Sequence, residues 1–164
     1  MKFLFLIIFF PVFSAKSQSK FDRQIADATK HIFCSQPDER NPVTINAQSV
    51  KDRDSIAVIV KVLMAPGWHI YAYVPSTQPY IASDPIMRLP ENFKAVGGWK
   101  TTEPFASSDD PGVLIYEHEV VFVHKAVKLP IAKTDASIRA GLYYQTCNLR
   151  QCLPPTETTL ELKY

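Results

Sequence analysis

Cys147 and Cys152, with four residues between them, are the side chains of this 164-residue sequence best placed for chemistry. They lie in Gly141–Leu162 (GLYYQTCNLRQCLPPTETTLEL), where two β-rich runs flank a short turn and each run carries one cysteine beside it. A four-residue spacer is a hairpin-loop length. Facing positions on paired antiparallel strands bring Cα atoms to about 4.5–5.5 Å, within the range a disulfide accepts. Pro154-Pro155 then fixes the chain as it leaves the second cysteine and withholds two backbone donors. Such a bond could be a staple or a reagent. Closing so short a loop stabilises a fold by roughly 2 kcal/mol on loop-length entropy, and a domain of this size and apolar content does not depend on it. Exchange is the better-motivated use, and Arg150 between the cysteines would favour the attacking thiolate. A binding module with a structural hairpin disulfide stays open as the alternative. Zinc is disfavoured because two sulfurs without a nearby His or Cys pair fall short of four ligands.

Other residues with chemical capacity read more plainly. His118 and His124 fall six apart on one expected strand, hence about 20 Å apart on one face; they cannot share a metal and read as exposed strand residues. Glu117 and Glu119 flank His118 as solvated charges. Glu103, Asp109 and Asp110 belong to a polar loop of about a dozen residues, 100–112 (KTTEPFASSDDPG), long enough to suspect a function. Cys34 is the odd thiol. It reads as a small apolar residue buried under the sheets, with pairing to another chain or a third redox position as alternatives.

The elements that must position the cysteine pair read as strands. Thr44–Val50, Ser55–Leu63, Trp68–Val74, Gln78–Leu89, Phe93–Trp99, a long Val113–Val127, Ser137–Tyr144 and Thr156–Leu162 carry the β-branched, aromatic or alternating texture. Ala65-Pro66-Gly67 is a turn signal. Residues 20–33 set up a helical turn or an extended lead-in. Five glycines and thirteen prolines suit short strands and stiff loops better than long helices. The expectation is an all-β sandwich with the cysteines on a hairpin. No crossover helix separates the strands, which argues against a thioredoxin-like α/β fold.

Met1-Lys2 and the apolar run Phe3–Phe13 form the n- and h-regions of an export signal, and Ala15-Lys16-Ser17 supplies a small-x-small cleavage pattern. The expected division is a signal peptide 1–17, a lead-in 18–42 and one domain 43–164. The run is shorter than the about 20 residues that span a bilayer, so no stable membrane anchor is expected after cleavage. The mature chain is expected to be periplasmic or secreted, where disulfides persist. Eighteen basic and sixteen acidic residues are mixed along the chain. No basic stripe interleaved with aromatics appears, which argues against nucleic acid as a partner.

The residues Tyr144-Gln145-Thr146-Cys147 and Cys152-Leu153-Pro154-Pro155-Thr156 resemble the active-site hairpin of the N-terminal periplasmic domains of the thiol:disulfide interchange protein DsbD. Gly67-Trp68-His69-Ile70-Tyr71 is similar to a second family segment, on a strand lining the cysteines. The resemblance covers roughly residues 40–162. The spacer is one residue shorter than in the best-known enterobacterial member, and His69 stands where that member has a tyrosine. The resemblance implies an all-β, immunoglobulin-like β-sandwich with an active-site β-hairpin, acting as a thiol:disulfide oxidoreductase of the protein-disulfide reductase type. It would take electrons from a membrane-embedded or thioredoxin-like donor and pass them to disulfide-bonded extracytoplasmic proteins, with no cofactor. No donor domain follows Tyr164, which sets the expectation of a separate donor protein. The resemblance also implies Cys152 as the attacking thiol, with Cys147 resolving. His69, Tyr71 and Tyr144 are expected to line the site, and Phe105 to cap it.

Overall fold

The computed structural model describes residues 19–130 and 137–164; the expected export signal of residues 1–17 lies outside them. Among the described residues one helix and eleven strands follow in order: α1 (Lys20–His31), β1 (Val43–Asp52), β2 (Ser55–Met64), β3 (His69–Tyr73), β4 (Asp84–Arg88), β5 (Phe93–Thr101), β6 (Phe105–Ala106), β7 (Leu114–Glu117), β8 (Glu119–Lys128), β9 (Ile138–Tyr144), β10 (Thr146–Cys147) and β11 (Thr156–Leu162). They form three sheets, ordered β1-β2-β8-β5, β11-β9-β4 and β10-β3-β7-β6, with every strand pair antiparallel. The result is an immunoglobulin-like β-sandwich. Its main core joins Ile56, Val58, Val60 and Val62 of β2 to Val120 and Phe122 of β8 and to Ile138, Ala140 and Leu142 of β9.

Strand β2 is apolar from Ile56 to Val60 and again from Val62 to Met64 because both of its faces are covered. The even-numbered residues enter the main core, while Ala57 and Ile59 face Ile25, Ile32 and Cys34. The cover is α1, a full twelve-residue helix where the sequence suggested a turn or an extended lead-in. Ser19 caps it by accepting the Asp22 N–H at 3.1 Å. Phe21, Ile25, Ala28 and Ile32 recur at helical spacing and supply the face laid on the sheet. Lys125 of β8 then pairs with Asp22 at 2.6 Å and lies over the Phe21 ring. Cys34 is buried in this layer, its thiol 3.6 Å from the Lys61 carbonyl, and burial pushes its pKa up. It behaves as the small apolar residue expected. Among the described residues no helix is long and apolar enough to cross a membrane.

The expected single strand Val113–Val127 is instead two strands in different sheets. His118 adopts a left-handed backbone with φ of 61°, and the chain passes from β7 to β8 there. The Met64 N–H donates to the His118 carbonyl at 2.8 Å, tying the crossing point to the end of β2. His118 and His124 therefore do not share a strand. His118 is exposed as expected; His124 is not. Its position faces the core beside Phe122 and Ala126, and its ring sits edge-on to Trp99 at 5.1 Å.

Candidate disulfide-exchange site

The cysteine hairpin is built by its own sequence and then tied to β3. The Asn148 side chain accepts the Arg150 and Gln151 N–H groups, both at 2.9 Å, and Asn148 N–H donates to the Gln151 carbonyl at 2.9 Å. An asparagine that hydrogen-bonds backbone two and three residues on is the usual device for closing a tight loop. Leu153 N–H donates to the Thr146 carbonyl at 2.9 Å, closing the ladder outside the cysteines. Cys147 and Cys152 face each other as an antiparallel pair, their Cα atoms 4.0 Å apart, and are joined by a disulfide. The Thr146 hydroxyl donates to the His69 carbonyl at 2.9 Å, and the Gln145 side chain accepts the Ile81 N–H at 2.9 Å. The two residues preceding Cys147 thus hold the hairpin against β3 and against the loop after it.

Register places the side chains. Cys147 lies opposite His69, and His69 lies opposite Glu117. One step along, Tyr71 lies opposite Ile115, which lies opposite Phe105. Directly opposed residues share a face, so these two rows line one side of the sheet. Apart from Phe105, they floor an open cleft of about 460 Å³. The hairpin residues Asn148 and Leu149 form one wall and Ser107–Asp110 the other, with Tyr80 beside them.

The two sulfurs are not equivalent. Cys147 is 2% exposed, in a cluster with Tyr71, Val113 and Ile115, whereas Cys152 is exposed. The Tyr71 hydroxyl lies 4.0 Å from Cys152 Sγ. Tyr71 itself is 1% exposed, and its burial drives the phenol far above its ordinary pKa, so the hydroxyl keeps its proton. Its ring stacks on Tyr80 at 4.7 Å, and the Tyr80 hydroxyl donates to Asp110 at 3.4 Å. This bond joins the loop after β3 to the loop before β7. Neither Tyr80 nor the Tyr80–Asp110 pair was singled out in the sequence, because the two residues lie thirty positions apart in separate loops.

The remaining expected site residues divide. His69 lines the cleft with its ring edge-on to Tyr71 at 5.1 Å. Tyr144 belongs to the main core, where burial raises its pKa, and does not line the cleft. Arg150 sits at the exposed tip and lines a separate shallow depression with Glu39, Pro66 and Trp68. Phe105 is on the face of the site but on edge strand β6, half exposed and outside the cleft lining. The residues of that loop which do reach the cleft are Ser107–Asp110. Glu117, expected as a solvated charge, lines the cleft, while Glu119 pairs with Lys61 at 3.0 Å. Among the described residues no group of three or more potential metal ligands converges.

Burial depresses the His69 pKa below its ordinary value of 6.5, outweighing the nearby Glu117, Asp110 and Asp109 carboxylates. Folded and unfolded chains both hold it neutral above about pH 6.5. Below that the unfolded chain takes the proton first, so this contribution to stability is lost as the pH falls. The urea midpoint is expected to drop between pH 7 and pH 5, and to drop less in His69→Gln. An equal drop in both proteins would remove His69 as a source.

A family model described as the N-terminal region of the thiol:disulfide interchange protein DsbD matches residues 36–163. Among solved structures, the N-terminal periplasmic domain of ScsB from Proteus mirabilis is similar with a TM-score of 0.53 and 21% identity. That likeness covers 79% of this chain and 49% of the ScsB chain, so this chain spans about half of its length. The reduced N-terminal domain of DsbD from Neisseria meningitidis aligns with a TM-score of 0.45 and 18% identity, over 70% of this chain and 82% of that one. No curated protein matches the sequence.

Proposed function

Because this chain belongs to the family of DsbD N-terminal domains, we propose that it is an extracytoplasmic thiol:disulfide oxidoreductase that passes electrons to disulfide-bonded proteins through Cys147 and Cys152. The observation that carries the reading is the asymmetry of the pair at the cleft: Cys147 is buried on β10, whereas Cys152 is exposed beside a protonated phenol. A thiolate reaching the cleft meets Cys152 Sγ. Attack there forms a mixed disulfide on Cys152 and breaks the Cys147–Cys152 bond, and the Cys147 sulfur leaves with the electron pair. A second thiol of the donor resolves the adduct, leaving the donor oxidised and this pair reduced. In the forward step the Cys152 thiolate attacks a substrate disulfide. The Cys147 thiolate then attacks Cys152 Sγ, reforming the internal bond and releasing two substrate thiols. Two electrons move in each half, carried by sulfur alone.

The Tyr71 hydroxyl is placed to donate to Cys152 whenever that sulfur carries charge, which favours its thiolate over a bare apolar surrounding. The donor and substrate are proposed to be separate proteins in the periplasm or outside the cell, the donor membrane-embedded or thioredoxin-like. The family membership and the export signal read at residues 1–17 support that placement.

Trapping tests the scheme. Cys147→Ser removes the resolving thiol, so mixed disulfides through Cys152 are expected to accumulate at least tenfold over the wild type on non-reducing gels. Adducts appearing instead in Cys152→Ser would reverse the two roles. A reduction potential of the pair below about −300 mV, the range of structural disulfides, would leave only a stapled hairpin.

A further inference from the structure

The cleft through which Cys152 is reached is lined by acids. Glu117 lies in the row with His69 and Cys147, and Asp109 and Asp110 stand on the opposing loop wall. Asp110 is held at the cleft by the Tyr80 hydroxyl. Among the described residues no lysine or arginine lines it, since Arg150 faces the neighbouring depression. His69, the remaining basic group, is kept neutral at ordinary pH by burial. The buried Tyr71 directs its hydroxyl to Cys152 Sγ at 4.0 Å, and the same cleft is lined by both Cys152 and the three carboxylates, so a group that reaches this sulfur passes them.

We propose that this cleft selects the charge of the group that exchanges with Cys152, accepting a thiol or disulfide flanked by positive charge and rejecting an anionic one such as glutathione. The inference rests on the exchange reading above and adds the substrate class. An incoming thiolate already carries one negative charge, and the three carboxylates oppose it. A cation next to the partner's cysteine offsets that repulsion, and a second anion adds to it. The chemistry is unchanged: the incoming thiolate forms a bond to Cys152 Sγ, the internal disulfide breaks, and Cys147 leaves as thiolate. A second equivalent of the thiol then completes the reduction and departs as its own disulfide. The effect on a protein partner would be to favour a lysine or arginine beside its reactive cysteine.

The test uses three small thiols: cysteamine (cationic), 2-mercaptoethanol (neutral) and glutathione (net anionic). Rates of reduction of the wild-type disulfide are compared at equal thiolate concentration, with 2-hydroxyethyl disulfide as an uncharged reference. At low ionic strength cysteamine is expected to outpace glutathione by at least tenfold beyond the ratio seen with the reference. That excess should shrink severalfold at 0.5 M salt, on the order of the screening expected for partly exposed charges. It should also shrink in the double variant Asp109→Asn, Glu117→Gln, whose folding is checked by circular dichroism. Rates that match the reference ratio for all three thiols would overturn charge selection and leave exchange intact. So would a preference that ignores both salt and the carboxylates. Failure of Cys152 in Cys147→Ser to form a mixed disulfide with cystamine, 2-hydroxyethyl disulfide or oxidised glutathione, each of which would release one thiol, would instead remove the exchange reading and this one with it.

Discussion

Gly141→Val is expected to leave little folded protein, and Gly141→Ala to lower the melting temperature by roughly 10 °C. Gly141 lies in the middle of β9, between Thr159 of β11 and Ile86 of β4. A Cβ at this position would fall 1.9 Å from the Thr158 carbonyl oxygen and 2.7 Å from the Thr159 Cα. Both are backbone atoms, so no side chain can swing aside, and the two strands must part. Overpacking in a well-filled sheet costs about 1–3 kcal/mol and more when backbone has to move. At about 3 °C per kcal/mol for a domain of this size, 3 kcal/mol gives the stated shift. Valine adds two methyl groups to the same collision and reaches a large part of the 5–15 kcal/mol that holds an ordinary domain. Gly98→Ala is the control. A Cβ there meets nothing within 4 Å, and its melting temperature should move by less than about 2 °C, as for an open surface site. Equal losses in both variants, read by thermal circular dichroism, would show that the β9–β11 approach is not what requires glycine. The effect matters for the site as well, because β9 runs through Gln145 directly into β10 and Cys147.

The sandwich was legible because its signals are local. Strand β2 announces itself as central by an apolar run that needs cover on both faces, and the cysteine spacing predicts a bond between facing hairpin positions. Where the expectations failed, the deciding contacts are distant in sequence. Helix α1 carries an apolar residue at nearly every turn, yet a twelve-residue helix gains most of its stability from the face it docks. Ala57 and Ile59, which receive it, come some thirty residues later. The break at His118 has no glycine or proline to mark it. Histidine tolerates the left-handed region better than most residues, so the change of sheet is visible only in the folded chain. His124 was misread with it, since a face assigned by counting along one strand is meaningless once the chain crosses between sheets. At the site, Cys147, Cys152, His69 and Tyr71 were found through the motif and the adjoining strand. Tyr80 was not, and Asp110 and Glu117 read only as surface charges, because it is the folding of two loops over β3 and β7 that assembles the far wall.

Reduced protein treated with iodoacetamide is expected to carry label on Cys152 about a hundred times faster than on Cys147. Both thiols sit in the same hairpin, and accessibility dominates the difference between them. Cys152 is exposed and next to the Tyr71 hydroxyl, which lowers the cost of its thiolate. Cys147 is 2% exposed among Tyr71, Val113 and Ile115, and reagent reaches it only when the hairpin lifts from β3. That opening must release the Thr146 hydroxyl from the His69 carbonyl and the Gln145 side chain from Ile81. A local opening of about 3 kcal/mol, within the range for such segments, gives the hundredfold ratio. Cys34 serves as an internal reference. It is 7% exposed under α1 and its pKa is raised by burial, so it too should label slowly. Gln145→Ala should then speed the labelling of Cys147 several-fold while leaving Cys34 unchanged, because it frees one anchor of the hairpin and touches nothing near the helix. Peptide mass spectrometry over a time course separates the three cysteines. Labelling of Cys147 before Cys152 would contradict the division between a buried resolving sulfur and an exposed exchanging one.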